Sequence, residues 1–282
     1  MGSKKSKNIG TVVLDRGDNT SCKINLHGAT VISWRVNSQE QLFVSQRAVF
    51  DGKKAIRGGI QFVFPQYGPW TVGPQHGFAR IIPWNLEKSP ERLPNGDVEA
   101  TFFIMDTDFT RSMWNYQFRL TYKLVLRERE LQFNVTVFNP NKEKKINFTI
   151  SLNTYLNVPD IRRCQITGFQ GCTFVDKTKD NAVSQEARAV VEIEEWTDRV
   201  YQNTPQEHTI SNMASGRRIR IEKNNFPDTG LWNPWTDLAK GLLDFKDNEY
   251  SNMVSVGSGH LTNPVVLIPG AKFEASQTFE LI

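Results

Sequence analysis

Two stretches near the middle of the chain leave little freedom in what it can fold into. In "LQFNVTVFN", Leu131, Phe133, Val135 and Val137 alternate with Gln132, Asn134 and Thr136. In "KINFTISLNTYL", Ile146, Phe148, Ile150 and Leu152 alternate with Asn147, Thr149, Ser151 and Asn153. A period of two sends successive side chains to opposite faces, so each stretch is a strand with one buried and one polar face. That is the pattern of antiparallel sheet. Similar runs cover 11–14, 22–26, 31–36, 41–44, 98–105 and 118–127, then 190–194, 217–222, 253–256 and 265–268. Turn chemistry separates them, as in "DRGDNTS", "LPNGD", "FNPNKEKK", "NNFPDTG" and "IPGAK". Only "TDLAKGLLDF" and "NEYSNM" suggest helix. The expectation is an all-β chain, a large antiparallel β-sandwich spanning residues 9–282 as one domain, after a flexible basic segment at 1–8.

A chain of 282 residues is long enough to bury roughly three quarters of its unfolded surface without a staple. The net charge of +4 comes from 34 basic and 30 acidic residues and forms no concentrated basic stripe, so nucleic acid is not an expected partner. Three cysteines, Cys22, Cys164 and Cys172, stand apart with no Cys-x-x-Cys pair. Their odd count predicts a reducing compartment with no disulfide framework. His27, His76, His208 and His260 are scattered, so no metal site and no cofactor are expected. No apolar run approaches a membrane span of about 20 residues, and no secretory segment follows Met1.

The period of two gives Asn153 a direction. It shares a face with Asn147, Thr149 and Ser151, opposite Ile150 and Leu152. Such a face is ordinarily plain solvent surface, and it can also line a concave cleft. Three further segments carry chemistry-bearing residues. "IRGGIQFVFPQYG" holds Arg57 before two glycines and a proline-closed apolar run. "PQHGFARIIPW" brings Gln75, His76 and Arg80 within six positions. "TDRVYQNT" adds Asp198 and Arg199 before an aromatic residue. Taken singly, the glycines serve a turn, the arginines a surface pair, and the histidine a satisfied polar position.

Together these segments resemble the glucose-6-phosphate 1-epimerase family of hexose-6-phosphate mutarotases. The resemblance runs from about Ile9 to the end, through "IRGGIQFVFPQYG", "QHGFAR", "LNTYLNVPDI", "ITGFQGCTFVDK", "TDRVY", "LWNPWTDLAKGLLDF", "EYSNMVSVGSG" and "LIPGAKFEASQ". It implies a galactose-mutarotase-like twisted sandwich with a sugar cleft on one concave face. It also implies chemistry. Interconverting the anomers of an aldose needs a base for the anomeric hydroxyl and an acid for the ring oxygen, both titrating near working pH. In the family these are a glutamate and a histidine. Arginines hold the phosphate, because the guanidinium fork fits its oxygens and stays charged. On this resemblance Arg57, Gln75, His76, Arg80 and Asp198 are the substrate-binding candidates.

The two catalytic positions depart from the pattern. The family's histidine falls at Asn153, and its glutamate at Gly257 in "MVSVGSG". Gln61 stands where the first motif commonly has proline. An amide forms hydrogen bonds but does not exchange a proton near neutral pH, and glycine has no side chain at all. General acid–base help is worth about 10²–10⁴-fold per group, so loss of both leaves little acceleration. His260 is the nearest replacement. It lies an odd number of residues from Gly257 and faces away in a regular strand, unless a bulge at Gly257 or Gly259 reverses it. Glu249 precedes the strand and is badly placed.

The expectation is therefore a catalytically inactive relative that binds a hexose 6-phosphate, or serves as a scaffold with protein partners in a larger assembly. The alternatives are an active hexose-6-phosphate 1-epimerase with relocated groups, and a purely structural protein with no ligand. The start, "MGSKKSK", adds a separate expectation. Gly2 with serine at position six fits the N-myristoylation pattern, and Lys4, Lys5 and Lys7 would reinforce a single acyl chain at an anionic surface. That predicts a cytoplasmic protein associated with membranes through its N-terminus, against the plainer reading of a soluble basic start.

Overall fold

A computed structural model describes residues 10–213 and 216–282; Gly2 and the basic start lie outside the described residues. Two antiparallel sheets face each other. The first has eleven strands and runs Thr11–Gly17, Thr20–Asn25, Thr30–Val36, Ile60–Val63, Ile146–Asn157, Met253–Leu267, Asp228–Asn233, Thr197–Tyr201, Thr173–Asp176, Ala182–Gln185, with Gln39–Glu40 paired on Thr30–Val36. The second has nine and runs Val190–Val191, Gln165–Thr167, Glu207–Ser211, Ile219–Asn224, Lys272–Leu281, Glu130–Phe138, Arg119–Leu126, Val98–Met105, Asn85–Arg92.

The alternation read in the sequence decides which side chains meet between the sheets. Phe148, Ile150 and Leu152 from the first sheet and Leu131, Phe133, Val135, Val137, Phe273 and Phe279 from the second are buried in one core. Aromatic contacts knit it together, such as Phe148 on Phe273 at 5.8 Å between ring centroids. Burying such side chains is worth about 1.5–3 kcal/mol each, the main term holding the sheets together.

Several elements differ from expectation. The run at 41–44 is not a ladder strand: Leu42 and Val44 make only isolated bridges to Leu156 and Gly58. The runs at 253–256 and 265–268 belong to one 15-residue strand, Met253–Leu267. An irregularity opens between its pairings with Phe148 and Ile150, and Pro264, which cannot donate to a ladder, falls there. The predicted helices contract to Trp235–Gly241 and a 3₁₀ turn at Glu249–Asn252, and a short helix at Asp108–Met113 has a capping box from Thr107 and Thr110. Ile60–Val63 is buried on both faces and so shows no alternation. Asn85–Arg92 is exposed throughout and contains Pro90, as befits an edge strand.

Candidate functional site

The outer face of the first sheet carries the site, and cross-strand register builds it. One line of paired residues runs Gln61, Asn153, Gly257, Gly230 across four neighbouring strands. A second, two residues along, runs Tyr155, Ser255, Trp232, Asp198. Directly paired residues project to the same face, so both lines look away from the core. The polar face of Ile146–Asn157 is therefore not plain solvent surface. It floors a cleft of about 500 Å³ whose walls include Arg57, Gln75, His76, Arg80, Asn153 and Asp198. Gly257 sits beside that floor without contributing to it: a β-carbon there would stand 2.4 Å from Asn153 Oδ1. Asn153 is held in that position by Ser151, whose Oγ donates to Oδ1 at 2.8 Å.

Loops bring the charged groups to the floor. Gly58 and Gly59 have φ of +116° and +66°, and a β-carbon at either would fall 2.4 Å or less from a backbone oxygen, so only glycine lets the chain deliver Arg57 here. Arg57 Nε donates to Asp244 Oδ1 at 3.1 Å. His76 itself has φ +66°, a left-handed conformation uncommon for a bulky residue and frequent at functional sites. Its Nδ1 accepts from the Gly68 N–H at 3.1 Å, which leaves Nε2 as the protonated donor of the neutral ring. Arg80 Nη1 donates to Gln61 Oε1 at 2.8 Å and Nη2 to the Gln75 carbonyl at 2.9 Å.

Three cations converge on that histidine. Burial, then the charges of Arg80, Lys177 and Arg57, push the His76 imidazole down to about 3. Burial brings Arg80 down to about 10. Burial opposes the Arg57 charge, but Tyr155 and Asp244 outweigh it and hold the guanidinium above its ordinary value. On the far wall, burial raises the Asp198 carboxyl against the pull of Lys177, and burial lowers the Lys177 ammonium against the pull of Asp198. The two stand 3.9 Å apart, and Lys177 Nζ lies 4.5 Å over the Tyr67 ring.

The structure puts the two replacement candidates elsewhere. His260 pairs with the core residue Ile150, and its ring packs on Phe273 between the sheets at 5.4 Å. The irregularity in its strand lies beyond it, not at Gly257 or Gly259, so parity is kept. Glu249 is buried as a loop tie, accepting from Ser45 Oγ at 2.6 Å and Gln46 N at 2.8 Å. Among the described residues, no group of three or more His, Cys, Asp or Glu could hold a metal. No helix among them is long and apolar enough to cross a membrane.

The sequence reading missed Tyr67, Tyr155, Lys177, Trp232 and Asp244, all of which line the cleft. Tyr155 was accessible by parity, lying two residues beyond Asn153 on the same strand. Placing Trp232 beside Tyr155 needed the register of three strands. Tyr155 and Trp232, 5.9 Å apart and edge to face, give the cleft an apolar wall.

A family model described as Aldose 1-epimerase matches residues 10–280. A protein of Cenchrus ciliaris named "Putative glucose-6-phosphate 1-epimerase" is 30% identical over 96% of this chain and 84% of its own length. One of the same name from Escherichia coli is 27% identical over 92% and 86%. The crystal structure of a "putative mutarotase" from Salmonella typhimurium superposes with a TM-score of 0.87 at 26% identity, over 96% of this chain and 90% of that one.

Proposed function

Because the chain belongs to the aldose 1-epimerase family, we propose that it binds a hexose 6-phosphate in this cleft and does not accelerate its anomerisation. The observation that carries the reading is a contrast within one cleft. Arg57, Arg80 and Lys177 surround a neutral His76, while the line beside them offers two amides and a glycine. The cations suit a phosphate dianion. Guanidinium forks keep their charge and pair with its oxygens, and the Nε2–H of His76 adds a neutral donor. The Asn153 amide suits a hydroxyl, which it recognises by hydrogen bonding without moving a proton. Tyr155 and Trp232 present the face on which the ring lies. Such a protein would act as a sugar-phosphate sensor or as a component of a larger assembly. Calorimetry with glucose 6-phosphate is the test, and no heat with any hexose phosphate at millimolar concentration would leave only a structural role.

A second reading, an active hexose-6-phosphate 1-epimerase, draws on one observation. Burial moves Asp198 and Lys177 in opposite senses, each toward its neutral form, and both open on the cleft. A carboxylate with raised pKa is a better base, and an ammonium with lowered pKa a better acid. Any measured turnover lost in Lys177→Met and in Asp198→Asn would favour this reading. For location, we propose a cytoplasmic chain held reversibly at membranes by a myristoyl group on Gly2 with Lys4, Lys5 and Lys7. Mass spectrometry of the native N-terminus tests it, and an unmodified or acetylated Gly2 would refute it.

A further inference from the structure

Of the three cations around His76, Arg80 is the one whose charge is left unpaired. Arg57 rests on the Asp244 carboxylate at 3.1 Å, and Lys177 lies 3.9 Å from that of Asp198. Arg80 makes no ion pair among the described residues. Its two terminal nitrogens bond neutral acceptors, and its buried Nε has no hydrogen-bond partner among them. A half-buried guanidinium without a counter-charge is costly unless an anion completes it.

The neutral acceptor on its inner side is Gln61, which is 1% exposed and stands beside Asn153 in the register line. Its Nε2 donates to the carbonyl of Ile56, the residue before Arg57, at 2.5 Å, while its Oε1 accepts from Arg80. One amide thus ties Arg80 to the segment that delivers Arg57. Hydrophobic side chains of this length would leave Arg80 free to swing, and proline offers neither bond. A carboxylate would pair with the arginine but would cancel its charge, and it could not donate to the Ile56 carbonyl. The amide alone fixes the position and preserves the charge.

We infer that Gln61 is a specificity-determining positioning residue, holding Arg80 fully charged and pre-aimed so that the cleft selects sugars with a dianionic terminal group. The inference rests on the sugar-phosphate reading above. Preorganisation of this kind adds affinity by removing the cost of ordering a flexible side chain on binding.

The test is calorimetry of the full chain with glucose 6-phosphate, in Gln61→Glu and Gln61→Met. The glutamate should weaken binding about 100-fold at pH 7.5 relative to the unsubstituted chain. That deficit should shrink as the pH falls toward the carboxylate range, because protonation frees Arg80 again. Taking the ratio to the unsubstituted chain at each pH cancels the titration of the phosphate itself. A deficit independent of pH, or undiminished binding, would overturn the inference. Gln61→Met keeps the length and loses both bonds. It should bind about tenfold more weakly, and equal binding would overturn the inference even if the glutamate variant fails to fold. Failure of the unsubstituted chain to bind glucose 6-phosphate would instead overturn the sugar-phosphate reading and this inference with it.

Discussion

Asn153 lies directly opposite Gly257 on the neighbouring strand, and its Oδ1 stands 2.4 Å from the place a β-carbon at 257 would take. The carboxamide has moved into space that a longer side chain at 257 would need, so the two positions are not independent. Gly257→Ala should displace the Asn153 side chain from Ser151 at a cost of about 1 kcal/mol. In a chain already carrying Asn153→Ala the same change should be neutral or stabilising, since glycine weakens a strand interior. Urea denaturation of the four chains measures that coupling; equal costs in both backgrounds would contradict it.

Restoring the family pair follows the same geometry. Gly257→Glu alone meets the asparagine, and Asn153→His alone has no partner to exchange protons with. The double substitution should raise glucose-6-phosphate anomerisation by about 10²-fold or more over the unsubstituted chain, with each single change giving far less. Comparable gains from either single change would argue against a shared site.

The arginines should carry the phosphate. Arg80→Met should weaken glucose 6-phosphate binding by about 1.5–3 kcal/mol, the worth of hydrogen bonds to a charged group. Arg57→Met made together with Asp244→Asn should cost less, because it removes a cation that this carboxylate already neutralises. Titration calorimetry ranks the two, and an unchanged dissociation constant in Arg80→Met would place the phosphate elsewhere.

Stability should fall on mild acidification. His76 and His208 are held down to about 3 when folded, chiefly by burial, whereas an unfolded histidine titrates near 6.5. The unfolded chain then binds more protons throughout that interval, so stability is greatest above about pH 6.5 and declines as the pH drops toward 3. Between pH 7 and 5 each such imidazole costs about 2 kcal/mol. His208→Gln, buried against Phe169 and bonded to Thr229 Oγ1, should flatten the unfolding profile by about that amount. A profile of unchanged slope would contradict the assignment.

How much of this was legible beforehand follows from what each signal depends on. Strands with one wet face, such as Glu130–Phe138, declare themselves by alternation. Strands buried on both faces do not, and Ile60–Val63 and Asp228–Asn233, which carry Gln61 and Trp232, are of that kind. The direction of Asn153 was readable by parity. That the surface it faces is a cleft depended on loops from 57 to 80 folding over it, which parity cannot report. Lys177 closes a recognisable motif, yet its role beside Asp198 exists only because Thr173–Asp176 and Thr197–Tyr201 are neighbours. The carboxyl of Glu249, polar and near the right strand in sequence, turned out to be a loop tie with no access to the cleft.

The most direct test of a cleft that binds without catalysing is magnetisation-exchange NMR on the two anomers of glucose 6-phosphate with stoichiometric protein. One sample reports both halves of the claim. Binding should shift and broaden the sugar resonances, while the rate of exchange between α and β anomers stays at its value in buffer. Exchange well above the buffer rate, on resonances that also report binding, would contradict the account.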